Sequence, residues 1–150
     1  MKLTPFYKEA QEKMAPGEIT ESGFLGDDKR SIIEIIEEDE QIMAKLGLDW
    51  EKISEKLEHL IREGAKGLGE YCTVDNKWLV KVDETRGKLP SPFKDGLFFK
   101  RSVTVQNKTS KKSLIYSDLS LHMLKKYHFL QGKGSSFRLD PELIQSVLEL

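Results

Sequence analysis

A single cysteine, Cys72, stands among 150 residues, so the chain cannot close an internal disulfide. Small secreted domains lean on paired cysteines, and this usage predicts a reducing cytoplasm. Long apolar runs are missing as well. The two longest, Ile32–Ile36 and Leu119–Leu124, are interrupted by Glu34 and by Ser120 and His122. A membrane span needs roughly 20 apolar residues, so no membrane partner is expected. The opening MKLTPFYKEAQEKM has neither an apolar segment nor a small-residue cleavage site, and no secretory signal is expected. There is no internal repeat, no low-complexity tract and no GxSxG, HExxH or Walker spacing. Cys72, His59, His122 and His128 show none of the paired spacings of a zinc site. Neither a metal nor a cofactor is expected.

What is present suits one folded domain spanning 1–150. Apolar residues make up 38% and charged residues 33% of the chain. That is enough to bury a core without staples at this length. Net charge is −1, but it is unevenly placed. Residues 1–70 carry 10 Lys and Arg against 17 Asp and Glu, whereas 86–138 carry 12 basic residues against only Asp95 and Asp118. Such polarity predicts an anionic partner, or acidic and basic parts that pair within one chain or across a homodimer.

Hydrophobic spacing divides the chain at Glu70. Upstream it is helical. Thr4 and Pro5 start a short helix with Phe6, Ala10 and Met14 on one stripe. Asp27 or Asp28 is the expected cap of a run through Leu46. Within it Asp39 interrupts the apolar stripe and reads as the cap of a new helix, Glu40–Leu46. Asp49 caps a further helix that buries Trp50, Ile53, Leu57 and Leu60. Downstream of Glu70 the period falls to two. Residues 70–85 read as a hairpin with Trp78, Val80 and Val82 inward. The segment Lys88–Gly96, with Pro90, Pro92 and Gly96, reads as a loop, and 97–116 as a second hairpin. Ser117 or Asp118 caps a helix through Phe129 that is apolar nearly all round, so it is expected to be central. Asp140 and Pro141 start the last one. The order predicts an α+β fold: N-terminal helices in an acidic part (1–69), then a four-stranded antiparallel sheet from two hairpins and C-terminal helices in a basic part (70–150).

Three groups of residues carry chemistry. In Gln131–Arg138 two glycines and two hydroxyls lie beside Lys133 and Arg138. Backbone N–H groups at Gly134 and Ser135 could converge on an anion that Lys133 and Arg138 neutralise. The plainer reading is a flexible connector that aims Phe137 and Leu139 into the core. Lys100, Arg101, Lys125 and Lys126 share this basic half and are interleaved with Phe98, Phe99, Tyr127 and Phe137, a mixture that suits phosphates, nucleotides or single strands. His122 stands one helical turn after Asp118, close enough for the carboxylate to orient a general base; a satisfied core histidine is the commoner case. The binding set read from sequence is therefore Lys133, Gly134, Ser135, Arg138, Arg101 and His122. No catalytic residue is assigned.

Ala44, Leu46-Gly47-Leu48, Asp49, Ile53, Leu57, Leu60 and Gly64 are similar in spacing to the turn and second helix of winged helix-turn-helix domains. The hairpin after Glu70 falls where such a domain has its wing. The likeness covers 44–82, about a quarter of the chain, and implies a transcriptional regulator or nucleic-acid-binding protein. Two departures stand against DNA: Ala44 precedes Gly47 by three residues, not four, and the outward positions Glu51, Ser54, Glu55, Glu58 and Arg62 are mostly acidic, which phosphates repel. Over most of its length the chain resembles a family of uncharacterised bacterial cytosolic proteins with no assigned activity. The resemblance is carried by Gly23-Phe24-Leu25-Gly26-Asp27, Gly87-Lys88-Leu89-Pro90-Ser91-Pro92-Phe93, Asp118-Leu119-Ser120-Leu121-His122-Met123 and Gly132-Lys133-Gly134-Ser135. It implies a bacterial cytoplasmic setting and no catalytic residues. The leading expectation is a non-enzymatic binding module for a phosphate- or nucleotide-bearing ligand. A winged-helix regulator comes second, and a small enzyme using His122 and Asp118 third.

Overall fold

Apolar side chains every third or fourth residue up to Ala65, and every second residue from Cys72, produce the architecture of the computed structural model, which describes residues 2–150. Three helices come first: α1 (Pro5–Lys13), α2 (Ile32–Lys45) and α3 (Trp50–Ala65). Strands β1 (Cys72–Val74), β2 (Trp78–Pro90), β3 (Leu97–Asn107) and β4 (Ser113–Ser117) follow, then α4 (Asp118–Tyr127) and α5 (Pro141–Leu148). The strands form one open antiparallel sheet in the order β1-β2-β3-β4. The fold is α+β. No described helix is long and apolar enough to cross a membrane.

Register fixes the two faces of the sheet. Val80 opposes Val105, and Val82 opposes Val103, which opposes Tyr116. These five are buried under Ile53, Leu57 and Leu60 of α3 and Ile144 and Val147 of α5. Each such side chain contributes about 1.5–3 kcal/mol on burial. Gly64 lets α3 approach: a Cβ there would lie 2.3 Å from Val80 Cγ1. Polar groups inside this core are paired, since an orphan would cost more than the bond gains. Tyr116 Oη donates to the Leu57 carbonyl at 2.9 Å, and Trp78 Nε1 and Asn107 Nδ2 both donate to Val147 O, at 2.7 and 3.0 Å.

A second core joins α1, α2 and the loops to α4 through Ala10, Met14, Phe24, Ile32, Ile35, Ile36, Phe93 and Phe129. α4 is central, as its all-round apolar pattern predicts. Leu121 and Leu124 enter the first core, while Leu119 and Met123 enter the second.

Three local expectations need correction. Ser31, not Asp27 or Asp28, caps α2, accepting from the Glu34 N–H; Asp28 is held by Arg30 instead. α2 runs unbroken through Asp39, which is no cap. Its carboxylate is 2% exposed and takes one bond from each Arg138 terminal nitrogen, Nη1 and Nη2, both at 2.8 Å. Lys88–Gly96 is not wholly loop either. After Thr85↔Lys100 the pairing resumes at Lys88↔Phe99, so Arg86 and Gly87 form a bulge, and β2 continues to Pro90 opposite Leu97. Gly87 takes the positive φ of +95° that a bulge demands. Pro90 ends the strand, where a missing N–H is tolerated.

Candidate functional site

The charge segregation seen in the sequence is largely satisfied within one chain. Lys94 reaches Glu9, Lys125 reaches Glu58, His128 reaches Glu40, Lys133 reaches Glu38 and Arg138 reaches Asp39, each pair joining the basic stretch to the acidic helices. Segregation alone therefore does not call for a second copy. Arg101 and Lys126 are taken by Asp118 and Asp95. Among the described residues, six cations of 86–138 form no ion pair, and they fall into two groups. Lys108, Lys111 and Lys112 sit at the β3–β4 turn. Arg86, Lys88 and Lys100 surround the bulge.

The glycine loop Gln131–Arg138 is turned the opposite way from the reading that places an anion on it. Lys133 and Arg138 face the acidic side chains of α2, and the Lys133 N–H donates to Asp28 Oδ2 at 3.2 Å. Asp28 is thus the anion that this loop holds. Hydrogen bonds from Arg30 keep its carboxyl well below the usual carboxylate range, against the effect of burial. Burial opposes the charge of Arg138, but Asp39 outweighs it and the guanidinium pKa is raised. The Ser135 N–H bonds Gly132 O, and its hydroxyl bonds Gln131. Gly26 and Gly132 let this loop lie against 24–28: a Cβ on Gly132 would stand 2.1 Å from Leu25 O, and one on Gly26 2.3 Å from Ser135 N.

The other side of the same loop lines a cleft. Ser136 and Phe137, with Gln131, close it from one side, and Thr20–Phe24 from another. Its floor is the sheet face opposite the valines: Asp83 pairs with Ser102 and Ser102 with Ser117, and Thr85 pairs with Lys100. Phe24, Leu89, Leu119 and Phe137 supply apolar wall, and the volume is about 260 Å³. Lys100 lines the cleft, and neither a hydrogen bond nor an ion pair to it is formed among the described residues. Phe99 stands at the rim, 58% exposed, with Lys88 Nζ 5.0 Å from its ring centre. Of the residues singled out in the sequence, Arg101 lines this cleft, while Lys133, Gly134, Ser135 and Arg138 do not.

His122 and Asp118 do not meet, despite their one-turn spacing. Asp118 accepts from Arg101 Nη2 at 2.6 Å and Nε at 3.0 Å. His122 Nε2 instead bonds Asp95 Oδ2 at 2.8 Å, which also accepts from Tyr127 Oη at 2.6 Å. Burial tends to raise the Asp95 pKa, but donors from Ser91, Tyr127, His122 and Lys126 prevail and hold it well below the carboxylate range. Burial and Asp95 together push Tyr127 up. Asp95 went unnoticed in the sequence because His122, Lys126 and Tyr127 lie 27 or more residues away; the one signal was its being the only carboxylate between Glu84 and Asp118. Elsewhere His59 pairs with Asp75, and the Cys72 thiol points at the Glu63 and Gly64 carbonyls. Among the described residues no three His, Cys, Asp or Glu side chains are grouped as a metal site.

On the acidic helix, Glu51 and Glu55 are exposed as a DNA-facing helix would present them, but Ser54 is buried and bonds Trp50 O. The hairpin after it is one edge of the four-stranded sheet. No family model, curated protein or solved structure matches the chain.

Proposed function

We propose that this protein is a binding module for a small organic anion with an apolar body, held in the cleft between the sheet and loops 20–24 and 131–137. The observation that carries the reading is Lys100, a cation without a partner inside a cleft walled by Phe24, Leu119 and Phe137. Pockets that bind small molecules combine apolar walls with a few placed polar groups. Here Ser102, Ser117 and Thr85 are the neutral ones; of the charged ones Arg101 is held by Asp118 and Asp83 by Lys81, which leaves Lys100. A cation left without a carboxylate inside a cleft marks where a ligand's charge would sit. Arg86 and Lys88, beside it at the bulge, extend the positive potential outward. Among the described residues no histidine lines this cleft.

A thermal-shift series with phenyl phosphate, aromatic carboxylates and nucleoside monophosphates tests the proposal. A true ligand at 100 times its dissociation constant stabilises by about 2.7 kcal/mol. The reading fails if the whole series leaves the melting temperature unchanged.

Phe99 favours a second reading in which a single-stranded nucleic acid crosses the rim. An exposed ring with Lys88 and Arg101 over it suits stacking together with phosphate contact. Binding of short single-stranded oligonucleotides that is lost in Phe99→Ala, with no response to mononucleotides, selects this reading. Duplex DNA is disfavoured by Glu51, Glu55 and Glu58 on α3.

A further inference from the structure

We propose that the groove between α3 and α4 is a second binding site, for a phosphate ester, in which Arg62 and His122 supply donors from the two helices. The groove has a volume of about 380 Å³, and its polar lining is Glu58 and Arg62 of α3, Asp118, His122 and Lys125 of α4, and Arg101 of β3, with Phe98 beside them. It adjoins the cleft at Arg101, which lines both, but Lys100 lines only the cleft.

The hydrogen bonds already made leave specific donors over. Asp118 takes Arg101, and Glu58 takes Lys125, although Arg62 lies one helical turn from Glu58. Arg62 is exposed and forms no ion pair among the described residues. Its planar fork of donors matches two oxygens of a phosphate. His122 is fixed by its neighbours. Asp95 is ionised and can only accept, so Nε2 carries a proton and donates to it. Phe98 packs on the ring at 4.4 Å between centres. Nδ1 makes no hydrogen bond among the described residues. The neutral ring offers a lone pair there, which repels an oxyanion; the protonated ring offers a donor.

A phosphate in the groove accepts from the Arg62 fork and from the Nδ1–H of the protonated ring. Lys126 and Tyr127 share the Asp95 oxygen that His122 Nε2 bonds. Asp118 lies one turn back on α4, where Arg101 pairs with it, and Glu58 is taken by Lys125, which leaves Arg62 for the ligand.

Titration of the full chain with inorganic phosphate and with ribose 5-phosphate, followed by nuclear magnetic resonance of the imidazole and arginine side chains, tests this. Saturable shifts of His122 and Arg62 are expected. Arg62→Ala should weaken binding about tenfold or more. His122→Asn, which keeps an amide donor for Asp95 but removes the Nδ1 donor, should weaken binding about threefold or more. Lys100→Ala should leave the titration unchanged, so failure here is distinct from failure at the cleft. The proposal is overturned if neither side chain shifts saturably, if Arg62→Ala and His122→Asn both titrate like the parent, or if the response is confined to the cleft.

Discussion

Arg138 and Asp39 are joined by two hydrogen bonds of 2.8 Å across 99 residues of sequence. The pair ties the basic C-terminal loop to the middle of an acidic helix, and it sets which side of that loop faces the cleft. Arg138 also donates to Gln131 O at 2.8 Å, so one side chain holds both ends of its own loop.

Breaking this pair is costly because the partner is left charged and buried. Arg138→Met should lower stability by about 3–5 kcal/mol in urea unfolding. Replacing both partners with apolar residues should cost less than the single change. A loss under about 1 kcal/mol for Arg138→Met would mean that the pair is solvated in solution.

Gly26 combines a φ of +57° with backbone contact to Ser135. Gly26→Ala should destabilise by about 2–4 kcal/mol, since the neighbour is backbone and cannot rotate away. Ligand binding in the cleft should weaken with it, because Phe24 and Phe137 are carried by the two loops that this glycine joins. Unchanged urea midpoints would show that the loops are not locked together.

Asp28 and Asp95 have folded pKa values below the ordinary value of 3.8. Groups depressed on folding contribute stability that is complete above their unfolded pKa and is lost as the pH falls below it. The chain should therefore lose stability steeply below about pH 4. Asp95→Asn and Asp28→Asn should each be less stable than the parent at neutral pH, with a shallower acid limb. Acid limbs parallel to the parent's would contradict the assignment.

Elements whose causes are local were legible in the sequence. Asp49 and Ser117 cap the helices that follow them, Thr4 caps α1, and Trp78, Val80 and Val82 alternate inward as their spacing requires. What depends on distant partners was not legible. Asp39 resembles a cap because nothing nearby can neutralise it, and Arg138 lies at the far end of the chain. Asp118 and His122 resemble a dyad because they are four apart, yet Arg101 and Asp95 are better placed for each. Pro90 and Gly96 suggest a loop, but the bulge at Arg86 and Gly87 lets the strand continue to Pro90. Lys100 stood in the sequence as one of four cations interleaved with aromatic residues. The structure sets it apart: of the two cations lining the cleft, Arg101 pairs with Asp118 and Lys100 forms no ion pair among the described residues.

The central claim rests on Lys100, and it is tested most directly by isothermal titration of the parent and of Lys100→Ala with the same anion, phenyl phosphate or whichever of the series shifts the melting temperature most. The account predicts saturable binding by the parent and a loss of about tenfold or more in Lys100→Ala, with stability changed by less than about 0.5 kcal/mol. Equal affinity in the two proteins would contradict it.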